Sequence, residues 1–175
     1  NAARVSFAKE NKEFQVVDDS RLIRYLAKHN HWSPFGHASL QFHVTAPVFV
    51  ARQLVKHQVG LVWNEVSRRY VDSEPEFHFV EEWRGSPDNK KQGSSDEVID
   101  ISTHIQEDYI NMCTYTYRYL LDKGVCPEQA RMVLPQSMMT EWYWSGTLMA
   151  FARVCNLRCK EDAQKETQDI AYSID

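Results

Sequence analysis

Around Pro47 the hydrophobic period of this chain changes from two to 3.6, and that change limits the folds open to it. From Ala38 to Val44, Leu40, Phe42 and Val44 alternate with Ser39, Gln41 and His43, the pattern of a half-buried strand. Beyond Pro47, which costs no hydrogen bond in a first helical turn, Val48, Val50, Ala51, Leu54 and Val55 share one helix face as far as about His57. A strand that hands over directly to a helix requires a sheet with helices packed on it.

The remaining periodicity extends this α+β reading. Arg21 to His29 is expected to be a short amphipathic helix with Asp18, Asp19 and Ser20 as candidate caps, ending near Asn30. Glu76 to Trp83 is a short strand candidate within 72–95, a stretch rich in turn residues, and a flexible insertion is expected near 84–96. Val98, Ile101, Ile105, Tyr109, Met112, Cys113, Tyr117 and Leu120 predict a long helix over about 97–121, roughly 35 Å at 1.5 Å per residue. A short helix follows from Pro127 to Met132, then a strand from Thr140 to Ser145 and helices over 148–157 and 161–174. The expectation is one domain over residues 1–175, a small, mainly antiparallel sheet against several helices.

Composition narrows the function classes. With 43% hydrophobic and 25% charged residues the chain is an ordinary globular one. Its formal charge of -4 gives no broad cationic field for a nucleic-acid backbone. No apolar run reaches membrane-spanning length and Asn1-Ala2-Ala3-Arg4 lacks a secretory layout, so a cytoplasmic protein off the membrane is expected. The missing initiator Met points to a start inside a longer gene product. Cys113, Cys126, Cys155 and Cys159 form no Cys-x-x-Cys pair and read as reduced structural thiols. His29, His31, His37 and His43 fit no common zinc spacing, and no metal site is expected.

The densest polar cluster is Arg52-Gln53-Leu54-Val55-Lys56-His57-Gln58 followed by Asn64-Glu65-Val66-Ser67-Arg68-Arg69-Tyr70. Arginine forks pair with phosphate oxygens, while Asn, Gln and Glu match the donors and acceptors of a pyrimidine and a ribose. The set is that of a nucleotide site. A competing reading takes Arg52, Lys56, Arg68 and Arg69, with Trp63 and Tyr70 as stacking faces, for a single-stranded nucleic-acid binding surface. The acidic overall charge disfavours it.

These segments resemble the flavin-dependent thymidylate synthases. Lys56-His57-Gln58 and Asn64 to Tyr70 align with the two ends of that family's signature, although Lys56 and Gln58 replace arginines and the spacing is one residue longer. His31-Trp32-Ser33-Pro34-Phe35-Gly36-His37, Ala46 to Gln53, Ala130 to Pro135 and Asn156-Leu157-Arg158 with Ala163-Gln164 are similar to further family segments in the same order. The resemblance implies conversion of dUMP to dTMP with methylenetetrahydrofolate as carbon donor, FAD as cofactor and NADPH as reductant, without a covalent protein nucleophile. It implies dUMP contacts from Gln53, Glu65, Ser67, Arg68, Arg69, Arg131 and Arg158, with Arg158 nearest the reacting ring. His31, Ser33, Lys56, His57, Gln58 and Glu65 are then flavin contacts, and the assembly a homotetramer with shared active sites. The three arginines Arg69, Arg131 and Arg158 are expected to converge on one dUMP. Thr147-Leu148-Met149 and Arg153 stand where the family commonly has other flavin-site residues, and Arg153 and Lys56 are candidates for the displaced positive charge. An alternative is another flavin-dependent modification of a pyrimidine nucleotide.

Overall fold

The computed structural model describes residues 1–10, 13, 15–88 and 93–175. Two nine-residue strands form its frame: β1 (Ser39–Pro47), and a strand of the C-terminal half (Met139–Thr147) that pairs with it antiparallel from Ser39↔Thr147 to Pro47↔Met139. Each runs straight into a helix, α2 (Val48–Leu54) after the first and Leu148–Arg158 after the second. A third strand, β2 (Leu61–Glu65), pairs with the other edge of Met139–Thr147. In chain order the further elements are α1 (Val16–Lys28), β3 (Trp83–Arg84), β4 (Val98–Ile99), α3 (His104–Asp122) and α4 (Pro127–Ala130); then come β5 (Met139–Thr147), α5 (Leu148–Arg158) and α6 (Lys165–Ile174). The α+β class expected from the sequence is the class observed.

Period two sorts the sheet. Val44, Ala46, Trp142 and Trp144 are buried on one face, while His43, Thr45, Glu141 and Tyr143 are exposed on the other. Val50, Ala51 and Leu54 of α2 and Phe151 and Val154 of α5 close over the buried face. Trp63 stacks on Trp142 with ring centroids 4.1 Å apart, so it belongs to the core and offers no stacking face to a nucleic acid. Of the other aromatics, Tyr117 is buried in α3, whereas Tyr109, Tyr115 and Tyr119 are exposed. Among the described residues no helix is long and apolar enough to cross a membrane.

Several boundaries differ from the sequence expectation. The long helix begins at His104, not near 97, and spans about 28 Å. Val98 and Ile99 are taken instead by backbone pairing with Trp83 and Arg84, and Thr103 is the N-cap. The strand expected over 76–83 is reduced to one bridge, Phe77 with Met138, and the pair at Trp83. The ends of the expected 84–96 insertion are this β3–β4 pair; its residues 89–92 lie outside the described ones. α1 begins five residues early, at Val16, because Asp19 reaches back to accept the Gln15 N–H at 2.7 Å from inside the helix. Asn30 ends it in the left-handed conformation (φ 56°). β2 was not expected at all, since Gly60-Leu61-Val62-Trp63 reads only as a spacer in the polar cluster.

Candidate active site

Because α2 and α5 both fold back over one sheet face, their C-terminal ends meet. Arg158, the last residue of α5, donates from Nε to Nε2 of His57 at 3.0 Å. Accepting that bond requires a neutral imidazole with its proton on Nδ1. Burial, reinforced by the Arg158 charge, lowers the His57 pKa from its ordinary 6.5 and so favours that form. Around this contact Arg52, Gln53, Lys56, Arg84, Arg158, Asp162 and Gln164 line a cleft of about 650 Å³, which has four cationic side chains against one carboxylate. Such a balance suits a phosphorylated ligand.

Gln53 is held from the α6 side. Its Oε1 accepts from the buried Thr167 hydroxyl at 3.3 Å and its Nε2 donates to Gln164 Oε1. Gln164 Nε2 in turn donates to Glu166 at 3.0 Å, and Glu166 is paired with Arg84.

A second groove, about 630 Å³, lies beside the sheet and is lined by Arg52, Glu65, Arg68, Arg131, Thr140 and Glu141 among others. Glu65, the last residue of β2, has both oxygens engaged: Thr140 Oγ1 donates at 2.8 Å and Trp63 Nε1 at 3.0 Å. Arg131 follows α4 in a short 3-10 turn and donates from Nε to the Glu128 carbonyl at 3.2 Å. Arg52 borders both spaces.

Arg69, Arg131 and Arg158 share one arrangement. Arg69 Nε donates to Ser67 Oγ at 3.1 Å, and the guanidinium lies over the Tyr70 ring. Each of the three is tethered through Nε, and among the described residues the terminal nitrogens of none of them have a hydrogen-bond partner. Their forks are therefore oriented and open. Arg68 differs: both its terminal nitrogens donate to backbone carbonyls, of Ser73 and Glu74, so it pins the turn after Tyr70. Glu74 is held in turn by Arg118 of α3, which lowers its pKa.

Within one chain the sequence-predicted residues fall into two groups. Gln53, Lys56, His57 and Arg158 gather at the first cleft, and Glu65, Arg68 and Arg131 at the second groove. Ser67 and Arg69 sit beyond the end of β2, in the wall of neither space, while Arg131 and Arg158 line different ones. His31 and Ser33 lie at the 3-10 turn Ser33–Gly36, which packs near α5, and also line neither space. Gln58 is exposed just past α2. Arg153 is exposed on α5, whereas Lys56 is a wall of the first cleft; Thr147 caps α5 by accepting the Ala150 N–H at 3.2 Å. Arg84, Glu166 and Thr167 were not singled out from the sequence. Arg84 falls in a stretch that reads only as a surface insertion, and no local pattern marks the other two.

A family model described as thymidylate synthase complementing protein matches residues 1–175. A flavin-dependent thymidylate synthase of Thermus thermophilus is 40% identical over 174 residues, covering 99% of this chain. The chain spans 63% of that relative's length. One from Kosmotoga olearia is 37% identical over 177 residues, covering 99% of this chain and 76% of the relative. Among solved structures, the UMP/dUMP methylase PolB from Streptomyces cacaoi, bound with 5-Br dUMP, superposes with a TM-score of 0.83 at 30% identity, over 99% of this chain and 80% of that one.

Proposed function

The chain belongs to the thymidylate synthase complementing protein family, that of the flavin-dependent thymidylate synthases, and on that premise we propose that it converts dUMP to dTMP with methylenetetrahydrofolate as carbon donor and NADPH-reduced FAD as hydride source. The observation that carries the reading is the set of three arginines tethered at Nε with open forks. A fork held in one orientation can make two parallel bonds to phosphate or carbonyl oxygens at little entropic cost.

Arg69 and Arg131, with Ser67, are assigned to the nucleotide phosphate, and Glu65 to the ribose side. Gln53 and Arg158 are assigned to the pyrimidine. Glu65 and Arg131 line one space and Gln53 and Arg158 the other; in the proposed homotetramer with shared sites, the first group of one subunit completes the second group of another. The cationic cleft at Arg52, Lys56 and Arg158 fits the charge of a flavin dinucleotide, with His57 joined to it through Arg158 and with Gln58, His31 and Ser33 as candidates outside its wall. When bound, the flavin supplies the hydride that completes the methyl group. The protein's own work is orientation and electrostatics. Arg158 faces the uracil carbonyls and stabilises the negative charge that develops on the ring, and neutral His57 holds it there through Nε. No covalent thiol is assigned: Cys113 and Cys155 are buried, burial pushes the Cys155 thiol up to about 11, and the exposed Cys126 and half-buried Cys159 line neither space.

The test is complementation between inactive variants. Arg131→Ala and Arg158→Ala should each lose dTMP formation, and co-refolded mixtures should regain part of it, because some sites then receive both intact halves. Mixtures as inactive as their parents would refute the shared site. A second reading rests on the PolB likeness: that protein is a UMP/dUMP methylase, so UMP is to be assayed beside dUMP for a methylated product.

A further inference from the structure

The hydrogen-bond chain behind Gln53 has a direction, and the direction starts at Glu166. A carboxylate only accepts, so Gln164 must turn its NH2 toward Glu166 and its oxygen toward Gln53. Gln53 must then turn its own NH2 to Gln164, which leaves its oxygen at the Thr167 hydroxyl, a rotor that can donate or accept and so follows the others. Glu166 is kept ionised: burial raises its pKa, but the bond from Arg84 and its other hydrogen bonds outweigh that and lower it. Thr167 is fully buried and Gln53 and Gln164 half-buried, so water does not freely replace these partners.

A glutamine amide facing a pyrimidine can sit in either of two orientations. One offers an acceptor to N3–H and a donor to the neighbouring carbonyl, which is uracil. The other offers a donor to N3 and an acceptor to the 4-amino group, which is cytosine. Among the described residues each end of the Gln53 amide keeps one position open beyond the relay, an N–H and a lone pair. We propose that Glu166, acting through Gln164, is a specificity-determining positioning residue that locks the Gln53 amide in the uracil-reading orientation and so rejects cytosine nucleotides. This rests on the reading above that Gln53 faces the base.

Two substitutions reverse the relay without removing it. In Glu166→Gln the new amide turns its oxygen to Arg84, a pure donor, and its NH2 to Gln164, so every later amide flips. In Gln164→Lys a pure donor meets Gln53 and draws the Gln53 oxygen toward itself. Glu166→Asp keeps an acceptor-only partner. Calorimetric titration of dUMP and dCMP into the FAD-loaded protein gives the ratio of their dissociation constants, with circular dichroism to confirm folding. The parent should prefer dUMP by at least about a hundredfold. Whichever of E166Q and Q164K folds should lower that ratio at least about thirtyfold, while E166D keeps the uracil preference even if both nucleotides bind more weakly. A parent that binds dUMP and dCMP equally, or a folded E166Q or Q164K protein with the parent's ratio, would overturn the relay and leave the proposed reaction standing. A parent that binds neither nucleotide would overturn both.

Discussion

If neutral His57 holds Arg158 in place, a permanent positive charge at position 57 should disable the enzyme at every pH. His57→Lys removes the acceptor of the 3.0 Å bond and sets an ammonium against the guanidinium. A hydrogen bond to a charged group contributes about 1.5–3 kcal/mol. Two like charges roughly 4 Å apart repel by about 4 kcal/mol at an effective dielectric near 20, and by about 1 kcal/mol in bulk water. Since the residue is half-buried, a displacement of about 2–3 kcal/mol is the working figure. That corresponds to a roughly 30- to 150-fold loss in kcat. The parent should show the same loss progressively in acid. The folded pKa of His57 is lowered below its ordinary 6.5, so in the window below 6.5 the unfolded chain takes up a proton that the folded chain does not. Stability contributed by neutral His57 is therefore fully present above 6.5, is lost as the pH falls, and levels off below the lowered folded value. His57→Gln keeps an acceptor that does not titrate and should flatten the acid limb of the kcat profile. The assay is dTMP formation at saturating dUMP between about pH 5 and 8, where the ordinary histidine value falls mid-range. Coincident acid limbs for the parent and His57→Gln, or a His57→Lys enzyme as fast as the parent, would refute the reasoning.

Three further outcomes follow from other contacts. Arg131→Ala should weaken dUMP binding about thirtyfold or more while leaving deoxyuridine binding nearly unchanged, because only the phosphate loses a partner; paired calorimetric titrations check this. Gly146→Ala should lower stability by about 1–3 kcal/mol, because its Cβ would lie 2.4 Å from the Gly60 carbonyl oxygen and 2.6 Å from Leu61 Cδ2; thermal unfolding measures it, and an unchanged midpoint would show that β2 shifts at no cost. A variant with all four cysteines replaced by Ser or Ala should, once folded, still form dTMP, and its complete inactivity beside an active parent would restore a thiol nucleophile.

Local periodicity made most of the frame legible. Leu40, Phe42 and Val44 marked β1, Pro47 marked the hinge into α2, and the aromatic run at 140–145 marked the middle of β5. What stayed hidden depends on distant partners. β2 exists because Leu61 to Glu65 finds an open edge of β5, and Gly60 can take φ 76° at the turn before it. Val98 continues a helical stripe in sequence, yet the pairing of Val98 and Ile99 with Arg84 and Trp83 removes it from α3. For the site, residue type pointed to Gln53, His57, Arg131 and Arg158. It could not show that they divide between two spaces, or that Arg68 spends its fork on the backbone. The supports of Gln53 come from α6 and β3, more than a hundred and about thirty positions away, and nothing in a local pattern marks such a support.

The most direct measurement is product analysis. The protein is incubated with dUMP, FAD, NADPH and methylenetetrahydrofolate carrying a 13C-labelled methylene, and the nucleotides are separated and weighed by mass spectrometry. The account predicts dTMP bearing one labelled carbon, formed only when all four components are present and absent with Arg158→Ala. Folded protein that binds dUMP and FAD yet releases no labelled dTMP would contradict it.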